Sequence, residues 1–343
     1  MAGVLRVRIN GTNTSTISAR AGDNLLDSLA RAGVYLPAAC EGLGSCGLCK
    51  VSLSDRLRPY SPIESPWISL AERAKGVHLA CQITLSEDLD LWVDPAQLSG
   101  TSQEARLAAR QELVPGIFKL TLELPEGTTL SSRPGQFIQI GLPSENRPER
   151  VERRAYSIAS APGSFTRFEI DAQQVPNGRF SGYLIDQLAI GDSLSFSGPF
   201  GGFAAFDSPR ELVCAAVGSG MAPIRSLLLG TAQSATRRRI SYFFAARRAS
   251  EIPHLAEIRA LERELADFRF IPVLADRSGE TSGGVSGSIA EALNRSLKRG
   301  TEIDAYICGN ARFVDTCSRV LTDKGVRPEA IHSDRFTQGG ERT

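Results

Sequence analysis

Four cysteines have the spacing of a metal-binding group. Cys40, Cys46 and Cys49 lie in one short stretch, CEGLGSCGLC, and Cys81 follows Cys49 after 31 further residues. Thiolates are soft ligands that suit iron and zinc. Three thiolates from one loop and a fourth from a distant segment can surround a [2Fe-2S] cluster, so we predict these four residues as its ligands.

The glycines of this loop support the same interpretation. Inorganic sulfide needs backbone close to it, and Gly42, Gly44 and Gly47 carry no Cβ to prevent that approach. Two alternatives stay open at this stage, a structural zinc site and a pair of disulfides. The loop contains no histidine, and its first gap is five residues long, which favours a cluster over a zinc ribbon.

The loop resembles the site of plant-type ferredoxins, with one departure. Those proteins have the spacing C-x4-C-x2-C, whereas five residues separate Cys40 from Cys46 here. The longer gap resembles the ferredoxin domain of the sodium-pumping quinone reductase flavoprotein subunit, and also adrenodoxin-type ferredoxins. The resemblance implies a β-grasp [2Fe-2S] domain over residues 1–98.

The elements that must hold these cysteines can be predicted from local patterns. Alternating apolar residues predict a strand over residues 5–9, and Asn10-Gly11 predicts a hairpin turn after it. Asp23 is the expected cap of the first helix. A capping box over residues 69–72 predicts a second helix before the segment of Cys81. We interpret Trp67 and Trp92 as core or surface filling.

Residues 104–208 predict an antiparallel β-barrel without helices, after a linker of small polar residues at 94–103. Within it, Arg154, Tyr156 and Ser157 offer what a flavin requires. The arginine can bind the pyrophosphate, the aromatic ring can lie flat against the isoalloxazine, and the hydroxyl can donate near its reactive nitrogen. We take Ser157 as a catalytic candidate.

Further motifs of this region resemble the ferredoxin-NADP reductase-like flavoproteins. The segments are Gly178 to Leu184, Gly191-Asp192 and Gly198 to Phe203. The resemblance implies that Gly178 and Ser181 hold the pyrophosphate at a helix N-terminus. It also implies FAD rather than FMN, because the ferredoxin segment comes first in the chain.

Residues 209–343 predict a parallel sheet with flanking helices. An apolar strand at 212–217 runs into Gly218-Ser219-Gly220, and Pro223 suits the first turn of the next helix. Such a turn can hold the pyrophosphate of a nicotinamide nucleotide, and it resembles the G-x-G-x-A-P signature of the same reductases. The fold class is thus α+β and α/β multidomain.

Two later motifs extend this resemblance. Cys308-Gly309 is similar to the Cys-Gly-Pro motif, which implies a thiol beside the nicotinamide and makes Cys308 a second catalytic candidate. Asp334-Arg335-Phe336 resembles the acid-x-aromatic ending of plant-type reductases, with Phe336 at the aromatic that covers the flavin. Cys214 and Cys317 are expected to be core residues. The three histidines are isolated in sequence, and we assign them ordinary core or surface roles.

The segment after the second strand of this region bears on the choice of nucleotide. Glu251 can accept from the ribose 2′-hydroxyl and repel a 2′-phosphate, which favours NADH. Arg247 and Arg248 argue for a 2′-phosphate, so NADPH stays open. The segment resembles that of NADH-using oxygenase reductases.

Bulk properties limit the partners and the location. The chain has 343 residues and a formal net charge of +1, so neither nucleic acid nor an anionic membrane is implied as a partner. We expect no signal peptide, because the N-terminus has no apolar core of that kind. There is also no run of about 18 apolar residues to span a membrane. Seven cysteines, an odd number, fit a reducing compartment, and we expect a cytoplasmic protein.

Together the three segments resemble the NADH-dependent reductase component of multicomponent bacterial oxygenases. NADH gives two electrons as a hydride, a [2Fe-2S] cluster takes one at a time, and FAD can convert between the two. The resemblance implies electron transfer to a terminal oxygenase or hydroxylase, directly or through a separate ferredoxin, in aromatic hydrocarbon catabolism. A reductase for a quinone or a deoxysugar-pathway acceptor remains an alternative, as does a zinc-stabilised nucleotide-binding protein without redox activity.

Overall fold

The computed structural model describes residues 4–10, 14–38, 40, 42–54, 58–94, 102–143, 151–201, 208–234, 238–276, 284–300 and 302–336. Gly11 of the predicted hairpin turn, most of the predicted linker and the Gly202-Phe203 end of the third flavin motif lie outside these residues. In the described part of the chain, no helix is both long and apolar enough to cross a membrane.

The N-terminal region is a five-stranded mixed sheet covered by one helix. The sheet has the order β2-β1-β5-β3-β4, and β1 and β5 run parallel while the other neighbours are antiparallel. The strands are β1 (Val4–Asn10), β2 (Ser15–Arg20), β3 (Lys50–Leu53), β4 (Val77–Leu79) and β5 (Leu89–Trp92), with helices α1 (Leu25–Arg31) and α2 (Leu70–Ala74). Short 3-10 turns at Ser65–Trp67 and Ala80–Gln82 complete it.

Two helix caps in this region can be compared with prediction. The capping box of α2 is confirmed, since Ser69 and Glu72 exchange side-chain and backbone hydrogen bonds. The cap predicted for α1 is wrong. Asn24 rather than Asp23 accepts from the backbone of Asp27, because Asn24 is the residue with extended backbone geometry directly before the helix.

The middle region is an antiparallel barrel. Its six-stranded sheet has the order β10-β9-β13-β6-β7-β12, and a bridge between Ile158 and Ile170 brings the end of β10 to β12. A two-stranded ribbon of β8 and β11 lies beside it. The strands are β6 (Gln103–Val114), β7 (Ile117–Glu123), β8 (Leu130–Ser132), β9 (Phe137–Pro143), β10 (Val151–Ser157), β11 (Gly163–Phe165), β12 (Arg167–Gln173) and β13 (Ser193–Phe200).

One feature of the barrel differs from the all-β prediction. A short helix α3 (Arg179–Gly182) continues into a π-helical turn at Tyr183–Gln187. The apolar side chains of Phe180, Leu184 and Ile185 are buried there, so this segment closes one end of the barrel. Gly178 is the N-cap of α3, so the helix N-terminus implied by the resemblance is present, whereas the expectation of a barrel without helices is wrong.

The C-terminal region is a wholly parallel six-stranded sheet with the order β17-β16-β15-β14-β18-β19. Its strands are β14 (Glu211–Val217), β15 (Ile240–Ala246), β16 (Phe268–Leu274), β17 (Val285–Ser286), β18 (Ile303–Asn310) and β19 (Ile331–Phe336). Its helices are α4 (Met221–Gln233), α5 (Leu255–Glu264), α6 (Ile289–Ser296) and α7 (Ala311–Asp323). Two apolar clusters pack on the opposite faces of this sheet, as in doubly wound folds. The predicted fold class is confirmed in all three regions.

Candidate functional site

The four predicted cluster ligands meet in the N-terminal region. Cys40, Cys46 and Cys49 lie on the loop between α1 and β3, and Cys81 lies in the 3-10 turn that follows β4. A backbone hydrogen bond of 2.8 Å from Ala80 N to Cys49 O joins the two segments. The thiols fall into two hydrogen-bonded pairs, Cys40 with Cys46 and Cys49 with Cys81.

Within each pair, one thiol favours the thiolate form of the other. A hydrogen bond from Cys46 lowers the pKa of Cys40 to about 5, and one from Cys49 lowers the pKa of Cys81. The same hydrogen bonds, together with burial, raise the pKa of Cys46 and of Cys49 well above the ordinary value. The thiolate is the form of cysteine that binds metal. Among the described residues, no three His, Cys, Asp or Glu side chains are close enough to share a single metal ion. Two pairs of thiols are the arrangement that a [2Fe-2S] cluster uses, with two protein ligands to each iron.

The conformation of the loop depends on glycine. Gly44 and Gly47 have φ angles of +78° and +68°, in the left-handed region that glycine adopts without strain. A Cβ on Gly47 would also lie 2.7 Å from the indole carbon Cε3 of Trp67. The loop can therefore approach both a cluster and the Trp67 ring only because these positions lack side chains.

A cavity of about 380 Å³ lies between the barrel and the parallel sheet. It is lined by residues from β10, α3, the turn after β14 and the ends of β18 and β19. The predicted cofactor residues on its wall are Arg154, Tyr156, Ser157, Gly178, Ser181, Gly218, Gly309 and Phe336. The other predicted residues, Gly220, Pro223, Arg247, Glu251 and Cys308, are not on this wall.

Strand β10 and helix α3 form the barrel side of the cavity. Arg154 and Tyr156 are two residues apart on β10 and so point to the same face. The guanidinium of Arg154 lies 4.8 Å from the ring centroid of Phe180 on α3. Burial raises the pKa of the Tyr156 hydroxyl, which keeps this phenol neutral. Ser181 accepts a hydrogen bond of 3.1 Å from Val175 N and so fixes the turn that leads into α3.

The turn after β14 forms the other side. Gly218, Ser219 and Gly220 make a 3-10 turn that leads directly into α4. A Cβ on Gly220 would lie 2.5 Å from the backbone oxygen of Cys308, so only glycine lets this turn pack on β18. Pro223 is buried in the first turn of α4. Cys308 is fully buried behind Gly220, and burial raises the pKa of its thiol well above the ordinary value.

The last strand supplies a site residue that the sequence analysis did not single out. Asp334 lines the cavity and hydrogen-bonds through its side chain with Ser157. Protein atoms crowd its carboxyl even though the side chain faces the open cavity, and this burial raises the pKa of Asp334 to about 6. Asp334 stands opposite Cys308 in the parallel pairing of β18 and β19. The acid-x-aromatic motif was the available signal, although only its aromatic residue was assigned a role.

The arginines after β15 are bound to acidic side chains. Arg247 Nη2 lies 2.8 Å from Glu251 Oε1, and Arg248 Nη2 lies 3.0 Å from Asp276 Oδ2. Both arginines are exposed at the carboxyl edge of the sheet. Each positive charge therefore has an acidic partner, and Asp276 is an acid that sequence reasoning missed, because it follows β16 rather than β15.

Charged side chains also join the parallel sheet to the barrel. Arg225 of α4 forms two hydrogen bonds with Glu257, of 2.7 and 2.9 Å, and one of 2.8 Å with Glu169 of β12. His254 lies 2.9 Å from Asp171 of the same strand. Glu169 and Asp171 are two residues apart on β12 and face the same side. The barrel thus presents two acids to an arginine and a histidine of the C-terminal region.

Comparisons with known proteins agree with this three-part organisation. The family model of the 2Fe-2S iron-sulfur cluster binding domain matches residues 7–86, that of the oxidoreductase FAD-binding domain matches 104–204, and that of the oxidoreductase NAD-binding domain matches 212–319. Together the three models cover most of the chain.

Relatives of nearly full length exist among curated proteins. One subunit of the Na⁺-translocating NADH-quinone reductase of Shewanella denitrificans is 28% identical over 98% of this chain and 92% of the relative. The corresponding subunit in Neisseria meningitidis serogroup C is 29% identical over 97% of this chain and 92% of the relative.

Solved structures show the same fold over the whole chain. The Amycolatopsis cytochrome P450 reductase GcoB has a TM-score of 0.74 at 23% identity, with 97% of this chain and 99% of that chain covered. The ferredoxin reductase in carbazole 1,9a-dioxygenase has a TM-score of 0.71 at 24% identity, with 98% and 99% covered.

Proposed function

Since this chain is an NAD(P)H-dependent oxidoreductase composed of a [2Fe-2S] domain, an FAD-binding domain and an NAD-binding domain, we propose that it is the reductase of an oxygenase system. The observation that carries the proposal is the cavity bounded by both the barrel and the parallel sheet, whose lining residue Arg335 contacts Trp67 of the cysteine-bearing domain. When bound, FAD would supply the conversion between the hydride of a nicotinamide and the single electrons that a [2Fe-2S] cluster accepts.

The barrel residues have distinct tasks in this proposal. Tyr156 offers its ring to the flavin, Arg154 offers a cation to the pyrophosphate, and Ser157 offers a hydroxyl close to the reacting ring. Gly178 and Ser181 shape the turn before α3. Phe336, which lines the cavity from the last strand, would cover the flavin.

The nucleotide is proposed to bind over the turn after β14. Gly218 lines the cavity, and Gly220 and Pro223 hold the turn against the sheet. Gly309 lines the same cavity from the end of β18, beside Cys308. We propose NADH as the donor, because Glu251 and Asp276 place negative charge next to both arginines where a 2′-phosphate would bind.

The oxygenase partner is supported by the solved structures. Two proteins whose structures match over nearly the whole length are a cytochrome P450 reductase and the ferredoxin reductase in carbazole 1,9a-dioxygenase. We propose a terminal oxygenase or hydroxylase as acceptor, reached directly or through a separate ferredoxin, and acting on an aromatic compound. Four of the seven cysteines are assigned to the cluster and the other three are an odd number, which fits a reducing compartment, so we propose a cytoplasmic location.

A second candidate acceptor is a quinone system. Five residues separate Cys40 from Cys46, as in the ferredoxin domain of the sodium-pumping reductase, and the curated relatives are subunits of that complex. That spacing and those relatives support a quinone-reducing partner complex as the alternative.

Stopped-flow kinetics with the purified protein separates the two. We expect NADH to reduce the bound flavin and then the cluster, and a purified oxygenase component to accelerate reoxidation of the cluster. Acceleration by quinones but by no oxygenase component would support the second candidate instead. Stoichiometric zinc without iron or acid-labile sulfide would contradict both.

A further inference from the structure

Arg335 lines the cavity between the barrel and the parallel sheet and also contacts the N-terminal domain. It lies on β19 between Asp334 and Phe336. Its Nη2 atom is 2.7 Å from Asp315 Oδ1 on α7. Its guanidinium carbon is 5.7 Å from the ring centroid of Trp67, which belongs to the N-terminal domain. One side chain therefore connects the flavin cavity with the domain that carries the four cysteines.

Trp67 in turn lies against the cysteine loop. A Cβ added to Gly47 would lie 2.7 to 3.0 Å from three atoms of Trp67, so the side chain of this tryptophan covers Gly47 closely. Gly47 stands between Cys46 and Cys49, which come from the two different thiol pairs. The indole thus fills the space between the cysteine loop and Arg335.

The backbone around Trp67 is fixed to the segment of the fourth cysteine. Trp67 N donates to Glu64 O at 2.9 Å, and the Glu64 side chain is buried. The Glu64 carboxylate accepts from Leu79 N at 3.2 Å, two residues before Cys81. Arg73 donates to Ser65 O at 2.9 Å and holds the same turn from the other side. Trp67 is therefore positioned by more than ordinary core packing.

A second set of contacts fixes the opposite end of the cysteine loop to the barrel. Gln139 of β9 donates to Ala38 O at 3.1 Å, two residues before Cys40. The guanidinium of Arg153 lies 4.8 Å from the ring centroid of Tyr35. These barrel contacts hold the start of the loop, while the Trp67 contact holds its Gly47 end.

We propose that Trp67 and Arg335 are positioning residues for the transfer of an electron from the flavin cavity to the cysteine loop. Their cation–π contact holds the Gly47 end of the loop against the cavity wall and so fixes the distance over which the electron passes. Neither side chain is oxidised or reduced in this role. The inference rests on the proposed function, but the contact itself can be tested without any cofactor.

Fluorescence of the full chain tests the contact. The chain has two tryptophans, so Trp92→Phe leaves Trp67 as the only indole. In that background we expect Arg335→Gln to shift the emission of Trp67 and to increase its quenching by acrylamide. Arg335→Lys keeps a cation, so its emission and its quenching by acrylamide should lie closer to those of the parent than the values of Arg335→Gln do. Arg6→Gln, on the exposed face of β1, is the matched control and should change neither signal. Identical spectra for Arg335→Gln and its parent would overturn the contact.

Rapid kinetics tests the role. Flavin reduction and cluster reduction are followed in one stopped-flow trace, so that any effect of Arg335→Gln on the hydride step is measured separately. We expect the rate of cluster reduction, divided by the rate of flavin reduction, to fall about fivefold in Arg335→Gln and in Trp67→Leu. A loss of this size corresponds to one cation–π contact. Trp67→Phe should restore part of this ratio.

Two further readouts decide the interpretation. The iron content and the electron paramagnetic resonance spectrum of the reduced cluster should stay those of the parent protein in Arg335→Gln, which lies outside the cysteine-bearing domain. An unchanged ratio of rates in both variants would overturn the positioning role. A parent protein that binds no flavin or is not reduced by NADH would instead contradict the proposed function. The fluorescence experiment would still test the contact between Trp67 and Arg335, because it needs no cofactor.

Discussion

His254 Nε2 lies 2.9 Å from a carboxylate oxygen of Asp171, and this pair joins the start of α5 to strand β12 of the barrel. Both side chains are almost completely buried, and His254 adopts the left-handed backbone conformation, with φ of +52°. A residue other than glycine is rare in this conformation and costs about 1 kcal/mol or more. The surrounding contacts must therefore hold it, and Asp171 itself lines the cavity.

The stability of this domain contact should depend on pH. Burial lowers the pKa of His254, but hydrogen bonds to Asp171 and Glu257 outweigh both burial and the repulsion of Arg225, so the pKa is raised overall. A raised pKa means that the stabilisation is complete below about pH 6.5 and is lost as pH rises through the folded-state value.

We therefore expect the difference in Tm between the parent protein and His254→Gln to shrink as pH rises. The control is His332→Gln, because burial lowers the pKa of His332 and its contribution has the opposite sign. A difference for His254→Gln that is constant from pH 5 to 9 would contradict a charged His254 in the folded protein.

Cys46→Ser should separate two activities. Electrons can leave directly from the flavin to ferricyanide, so that activity should remain, whereas reduction of cytochrome c or an oxygenase component should be abolished. Cys317→Ser is the control, because Cys317 is buried in the core of the C-terminal sheet, away from the cysteine loop. Loss of both activities in Cys46→Ser would mean that the cluster is required for folding.

Gly220→Ala should disturb the nucleotide site. The new methyl group would lie 2.5 Å from Cys308 O and 2.8 Å from its carbonyl carbon, so the turn must move away from β18. We expect a loss of about 1–3 kcal/mol in stability and a higher KM for NADH, with normal iron content. Gly182→Ala, whose methyl group would lie 3.9 Å from its nearest neighbour, should leave KM unchanged.

The acids beside Arg247 and Arg248 should exclude a 2′-phosphate. Glu251→Gln and Asp276→Asn each free one arginine from its ion pair, so the kcat/KM for NADPH should rise several-fold while that for NADH falls. Glu262→Gln, which breaks an ion pair with Arg259 on α5, is the control. A preference for NADPH in the parent protein would contradict the assignment of NADH.

Asp334 should impose a pH dependence on flavin reduction. Burial raises the pKa of its carboxyl to about 6, so the hydrogen bond with Ser157 involves a group that changes charge near this pH. We expect Asp334→Asn to remove an ionisation near pH 6 from the profile of the flavin reduction rate. Persistence of that ionisation in the variant would assign it to another group.

Local chemistry explains what could be predicted. The cysteine loop, the Gly218 to Gly220 turn and the capping box at Ser69 depend on residues within a few positions of one another. Where two capping residues are adjacent, as Asp23 and Asn24 are, the pattern cannot choose between them, because the choice depends on the exact residue at which the helix begins.

The sequence by itself determined the three regions, their order and the residues suited to a cluster, a flavin and a nicotinamide nucleotide, because each motif is contained in one short segment. Only the tertiary structure decided which segments meet. It placed Asp334 on Ser157, Asp276 on Arg248 and Arg335 against Trp67. The partners in each pair lie far apart in the chain, and contacts of that kind follow from strand order and domain packing rather than from local spacing.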